Sequence, residues 1–134
     1  MSFFSGGFLY NPDTQSVLLH KRDTKTTINP GQWAFFGGTS EEGEKPVETF
    51  IREMSEELGV TIQSSEVIPL VNYWNPDRQT HRHIFYVVSR IPKNHLTLQE
   101  GEAFEWVDLR RVFSYDLTEK TISDLRLFLR TLAA

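Results

Sequence analysis

The chain has 134 residues, enough for one ordinary domain, and residues 1–134 read as a single unit. With 39% hydrophobic and 24% charged residues it has the composition of a globular chain, and the absence of cysteine excludes disulfides, zinc–thiolate sites and thiol nucleophiles. The net charge is −4, no apolar run approaches the ~20 residues of a membrane span, and the N-terminus lacks a targeting pattern, so a cytoplasmic protein with no membrane partner is expected.

Phe3 to Leu9 and Ser16 to His20 predict two strands joined by a turn at Asn11-Pro12-Asp13. Lys21 to Gln32 is polar, contains Asn29-Pro30-Gly31 and reads as a loop. Trp33 to Phe36 is a short apolar run that stops at Gly37-Gly38. A helix is then expected from Pro46, which suits a first helical position, to a cap at Gly59. Val47, Phe50, Ile51, Met54 and Leu58 form its apolar stripe, and Glu53, Glu56 and Glu57 share another face. Val67 to Tyr73, His83 to Ser89 and Phe104 to Val107 predict three more strands, and Lys120 to Leu132 a closing helix with Ile122, Leu125, Leu127, Phe128 and Leu132 inward. Strands interrupted by one central and one terminal helix predict an α/β fold with a mixed sheet.

The charge is unevenly spread. Between Glu41 and Glu57 lie seven acids and only two bases. Such a cluster repels nucleic-acid phosphate, so nucleic acid is an unlikely partner. Carboxylates at helical spacing also repel each other, which a cation among them would offset. Oxygen donors suit magnesium, calcium or manganese, and magnesium typically completes its shell with water and substrate phosphates. Phosphoryl chemistry is therefore expected from the residues alone.

The segment Gly38-Thr39-Ser40-Glu41-Glu42-Gly43-Glu44, seven residues, then Arg52-Glu53-Met54-Ser55-Glu56-Glu57-Leu58-Gly59-Val60 matches every defined position of the Nudix box. The chain thus resembles the Nudix hydrolases, closest in layout to the compact nucleoside triphosphate pyrophosphohydrolases. The resemblance implies an α/β/α sandwich and cleavage of a diphosphate linkage with Mg2+, Mn2+ being a possible substitute. It implies a metal held by the Gly38 carbonyl, Glu53, Glu56 and Glu57, with Gly37 and Gly38 making a tight turn beside it. Glu53 is a candidate base, and Arg52 is expected to hold a neighbouring glutamate, with Glu44 as its partner. The stretch Gln99 to Val107 is similar to a region of enzymes that sanitise oxidised nucleoside triphosphates, which makes Glu100 a catalytic candidate and Glu102 a second choice.

The substrate side is less defined. In relatives a basic residue at the position of Arg22 can touch phosphate, and Arg78, Arg82 and Lys93 are further phosphate candidates. Phe35, Trp33 or Tyr73 could stack on a base, although aromatic residues more often fill a core. His81 and His83 read as surface residues. Pro76, sixteen positions after Val60, resembles a marker of ADP-ribose hydrolases but also fits a plain turn. The expected partner is a small-molecule nucleotide, and the protein a monomer or homodimer. Competing readings are an ADP-ribose or nucleotide-sugar pyrophosphatase, an RNA 5′-end hydrolase and a non-catalytic nucleotide sensor.

Overall fold

The computed structural model describes residues 1–99 and 101–134. Among them the elements run β1 (Phe4–Asn11), β2 (Ser16–Lys21), β3 (Trp33–Ala34), β4 (Phe36–Thr39), α1 (Pro46–Leu58), β5 (Ile68–Asn75), β6 (Thr80–Val88), β7 (Ala103–Asp108) and α2 (Glu119–Ala133). The described strands form one mixed sheet in the order β3-β2-β1-β6-β5, with β4 added to β1 and β7 to β2. β1 runs parallel to β6 and antiparallel to β2 and β4.

The sheet separates two cores. Phe8, Tyr10, Val17 and Leu19 face Leu125 and Phe128 of α2. Leu9, Leu18, Phe85 and Val87 face Phe50, Met54 and Leu58 of α1. Successive residues of β1 and β2 thus alternate between layers, and both strands are buried along most of their length, as strands covered on both faces must be. This is the α/β/α sandwich that the sequence predicts.

α1 begins and ends where its signals lie. Pro46 occupies the first turn, the Glu48 carboxylate accepts the Lys45 N–H at 2.7 Å, and Gly59 closes the helix at φ 68°, a left-handed conformation that favours glycine. At α2, the Thr118 side chain caps the first turn by accepting the Thr121 N–H.

Three expectations need correction. The chain does not turn at Gly37-Gly38: β4 continues through both glycines to Thr39, because they pair with Gly6 and Ser5 of β1. β6 begins at Thr80, three residues before the predicted start, since its first part pairs with β5 rather than filling a core. In α2, Leu132 is exposed, whereas Thr121 and Asp124 are buried beside Leu125 and Phe128. The inward stripe of that helix therefore includes polar groups that hydropathy alone assigns to solvent.

Candidate active site

α1 crosses the α1-facing side of the sheet near β4, which brings its carboxylates to the strand backbone. Glu57 is 2% exposed, and its Oε2 accepts the Gly37 N–H at 3.0 Å. A carboxylate so deeply buried needs such a donor. Glu53 lies directly over Gly38: a Cβ on Gly38 would collide with the Glu53 carboxylate. The sequence thus places glycine where strand and carboxylate come into contact.

Arg52 organises the rest of the cluster. Its Nε donates to Glu44 Oε2 at 2.7 Å, its Nη1 to Glu53 Oε1 at 3.0 Å and to Glu56, and its Nη2 to the Thr39 carbonyl at 3.1 Å. Glu41 adds an ion pair at 3.2 Å. Glu44 also accepts from Thr49 Oγ1 at 2.8 Å. The Arg52 hydrogen bond, with help from the Glu41 N–H and Thr49, pulls the Glu44 pKa down to about 2. Surrounded by carboxylates, Arg52 is held firmly in its charged form. The expected Arg52–Glu44 pairing is therefore present.

The candidate metal donors, namely the Gly38 carbonyl, Glu53, Glu56 and Glu57, are all oxygen groups, a set that suits a hard divalent cation. Glu53 and Glu57 are held at adjacent residues of β4. Glu56 is 56% exposed and turned toward Arg52. Among the described residues no three acidic or imidazole groups yet converge on one point. The donor chemistry fits a magnesium-type ion, and Arg52 now engages two of those donors, Glu53 at 3.0 Å and Glu56 at 3.2 Å.

Beside this cluster lies a cleft of about 560 Å³, whose wall includes Gly37, Thr39 and Glu57. The three substrate candidates Arg22, Phe35 and Arg78 line the same cleft. Arg22 donates through Nε to the Ile28 carbonyl at 3.0 Å, which fixes the loop that leads toward β3. Arg78 is exposed in the turn between β5 and β6. Phe35 is 4% exposed and packs its ring 4.8 Å from that of Phe8, so little of its face is left for stacking on a base. Trp33 packs against Tyr115, and Tyr73 donates to Asp124 at 2.9 Å. His81 bonds Asn72 and, like His83, is partly buried. Lys93 pairs with Glu105 at 2.9 Å. Pro76 follows Asn75, whose side chain accepts the Asp77 N–H, as in an ordinary turn.

Glu100 lies outside the described residues. Its surroundings are tied at both ends: the Gln99 N–H donates to the Glu57 carbonyl at 2.9 Å, and the Glu102 N–H to the Lys21 carbonyl at 3.0 Å. The second choice, Glu102, is engaged by Thr24 at 3.1 Å and Lys21 at 3.5 Å.

Two groups escaped the sequence reading. His20 is buried in β2, faces Phe36 and bonds through Nε2 to the Phe35 carbonyl at 3.0 Å. Since a carbonyl only accepts, Nε2 carries the proton and Nδ1 is the bare nitrogen. Burial lowers the His20 pKa to about 4, against the opposing effect of the Phe35 bond. The second group is the buried Asp124, which bonds Arg82 and Tyr73. The one hint in the sequence was its place next to Leu125 within the apolar spacing of α2.

A NUDIX domain model matches residues 5–131. A nucleoside triphosphatase, NudI of Escherichia coli, is 29% identical over 122 residues, covering 84% of this chain and 86% of the relative. The solution structure of the E. coli ORF135 protein superposes with a TM-score of 0.78 at 23% identity, over 99% of this chain and 91% of that one. The NUDIX domain of Shewanella oneidensis NrtR, solved in complex with ADP ribose, gives 0.76 at 16% identity, over 98% and 86%. With its complete box, this sandwich and a family match across nearly its whole length, the chain belongs to the Nudix family and is a hydrolase of phosphorus-containing acid anhydrides.

Proposed function

We propose that the protein cleaves the diphosphate linkage of nucleoside triphosphates, oxidised nucleotides included, by magnesium-dependent attack of water on phosphorus. The observation that carries this reading is the anchoring of Glu57 on the Gly37 N–H, which sets a box carboxylate in the wall of a cleft that also holds Arg22 and Arg78. The similarity to a nucleoside triphosphatase along most of both chains supports the substrate class.

In this mechanism the Gly38 carbonyl, Glu53, Glu56 and Glu57 would hold Mg2+, for which Mn2+ could substitute. The bound ion would neutralise the diphosphate and acidify water. Glu53 takes the proton of the attacking water, with Glu100 as the alternative base. Arg52 is a positioning residue: it fixes Glu53 and Glu44 while remaining off the substrate. Arg22 and Arg78 bind phosphate oxygens from the cleft wall, and Phe35 borders the nucleoside.

The test is a substrate panel of nucleoside triphosphates, ADP-ribose, nucleotide sugars, dinucleoside polyphosphates and triphosphorylated RNA, each with magnesium, with manganese and with chelator. Metal-dependent release of pyrophosphate or phosphate from nucleoside triphosphates is expected, and hydrolysis in isotopically labelled water would identify the phosphorus attacked. Turnover confined to ADP-ribose or RNA would overturn the substrate class, and binding without turnover would favour a sensor.

A further inference from the structure

Arg82 stands apart from the other cations of the cleft because it is built in rather than exposed. Its Nε donates to Asp124 Oδ2 at 3.0 Å, and the two side chains are only 11% and 3% exposed. Tyr73 donates to the other Asp124 oxygen at 2.9 Å. The guanidinium lies over the Phe4 ring, 5.0 Å from its centroid. Three elements, β5, β6 and α2, therefore fix the orientation of one side chain. That clamp uses only Nε. Among the described residues, neither Nη nitrogen has a protein acceptor, and both Arg82 and Phe4 line the cleft. The two Nη nitrogens of a rigidly held guanidinium are therefore left without a protein acceptor on a residue that lines the cleft. A guanidinium already fixed through Nε loses little freedom when its Nη groups meet a planar acceptor pair on a ligand.

We propose that Arg82 reads the edge of the substrate's nucleobase and selects bases that present a carbonyl oxygen beside a ring-nitrogen acceptor, namely guanine and cytosine, over adenine, an inference that rests on the nucleotide reading above. Strand register separates this group from the phosphate end. Arg82 pairs with Phe4, and Phe4 with Thr39, so Arg82 lies two strand spacings, about 10 Å, from the residue after Gly38. That is the reach from a phosphate across a sugar to a base. An arginine fork matches a carbonyl oxygen with a ring-nitrogen acceptor beside it, the pattern of guanine and cytosine. Adenine places an amino donor there instead, which leaves one Nη N–H unpaired.

The test measures binding of GMP, CMP, UMP and AMP by calorimetry without metal, together with kcat/KM for the four triphosphates with magnesium. Wild-type protein should bind GMP and CMP roughly tenfold or more tighter than AMP. Because Arg82→Gln alone would strand a buried carboxylate, the neutral pair Arg82→Gln/Asp124→Asn is used, with a melting curve to verify folding. Arg82→Lys, which keeps the charge and loses the fork, is the second variant. Both should bind the four nucleotides within about threefold of one another. Equal affinity of wild-type protein for AMP and GMP, or an equal loss for all four bases in the variants, would overturn the proposal. Discriminating binding without turnover would sink the hydrolysis reading and keep this one; equal turnover of all four triphosphates would do the reverse.

Discussion

Gly38 and Glu53 share one volume of space: a methyl group on the strand would occupy the site of the carboxylate. No left-handed backbone angle is involved at Gly38, so alanine there is excluded by contact alone. Gly38→Ala should therefore displace Glu53 while β4 stays paired with β1. We expect kcat to fall by roughly two orders of magnitude with a melting temperature only a few degrees lower, since a misplaced catalytic group loses far more rate than the fold loses stability. Steady-state kinetics beside a thermal melt decide this, and wild-type kcat would show that Glu53 has no role in turnover.

Glu57→Gln separates charge from shape. The amide oxygen can still accept the Gly37 N–H that Glu57 now accepts at 3.0 Å, so the fold should survive. The lost carboxylate charge should abolish magnesium-dependent turnover and weaken Mg2+ binding. Turnover equal to that of the wild type would remove Glu57 from the metal site.

Arg52 tests positioning. Its fork serves Glu44 at 2.7 Å and Glu53 at 3.0 Å simultaneously, which lysine cannot reproduce. Arg52→Lys should lower kcat by about tenfold or more while KM changes little, because the substrate contacts lie elsewhere. A rise in KM alone would mean that Arg52 touches the substrate.

Two groups predict acid sensitivity in separate ranges. Glu44 has its pKa depressed to about 2, so its pairing stabilises the fold above the unfolded carboxylate value, and that contribution is lost as pH falls from about 4.5 toward 2. His20 is depressed to about 4, so between pH 6.5 and about 4 the unfolded chain takes up a proton that the folded one refuses. Stability should fall through that window, by roughly 3 kcal/mol at most. Denaturant unfolding as a function of pH should show the His20 slope in the wild type and a flatter curve in His20→Gln. Identical slopes would assign the loss to other groups.

The sequence by itself determined the chemistry-bearing helix, from Pro46 to the Gly59 cap, and the identity of its carboxylates, because both follow from local spacing and backbone preference. It also determined the layered α/β architecture, since a period of two or 3.6 is a property of neighbouring residues. The course of Gly37-Gly38 was not legible there: a glycine pair permits a turn, and only pairing with Ser5 and Gly6, some thirty positions away, makes it a strand. The burial of His20 was equally invisible and that of Asp124 only hinted at by its place beside Leu125, since an isolated polar residue reads as solvated until a distant partner accepts or donates. The tertiary structure decided those pairings, and with them which of several arginines is clamped by a buried partner and which is exposed, because hydrogen bonds over long sequence separations depend on where the chain returns rather than on what lies next to it.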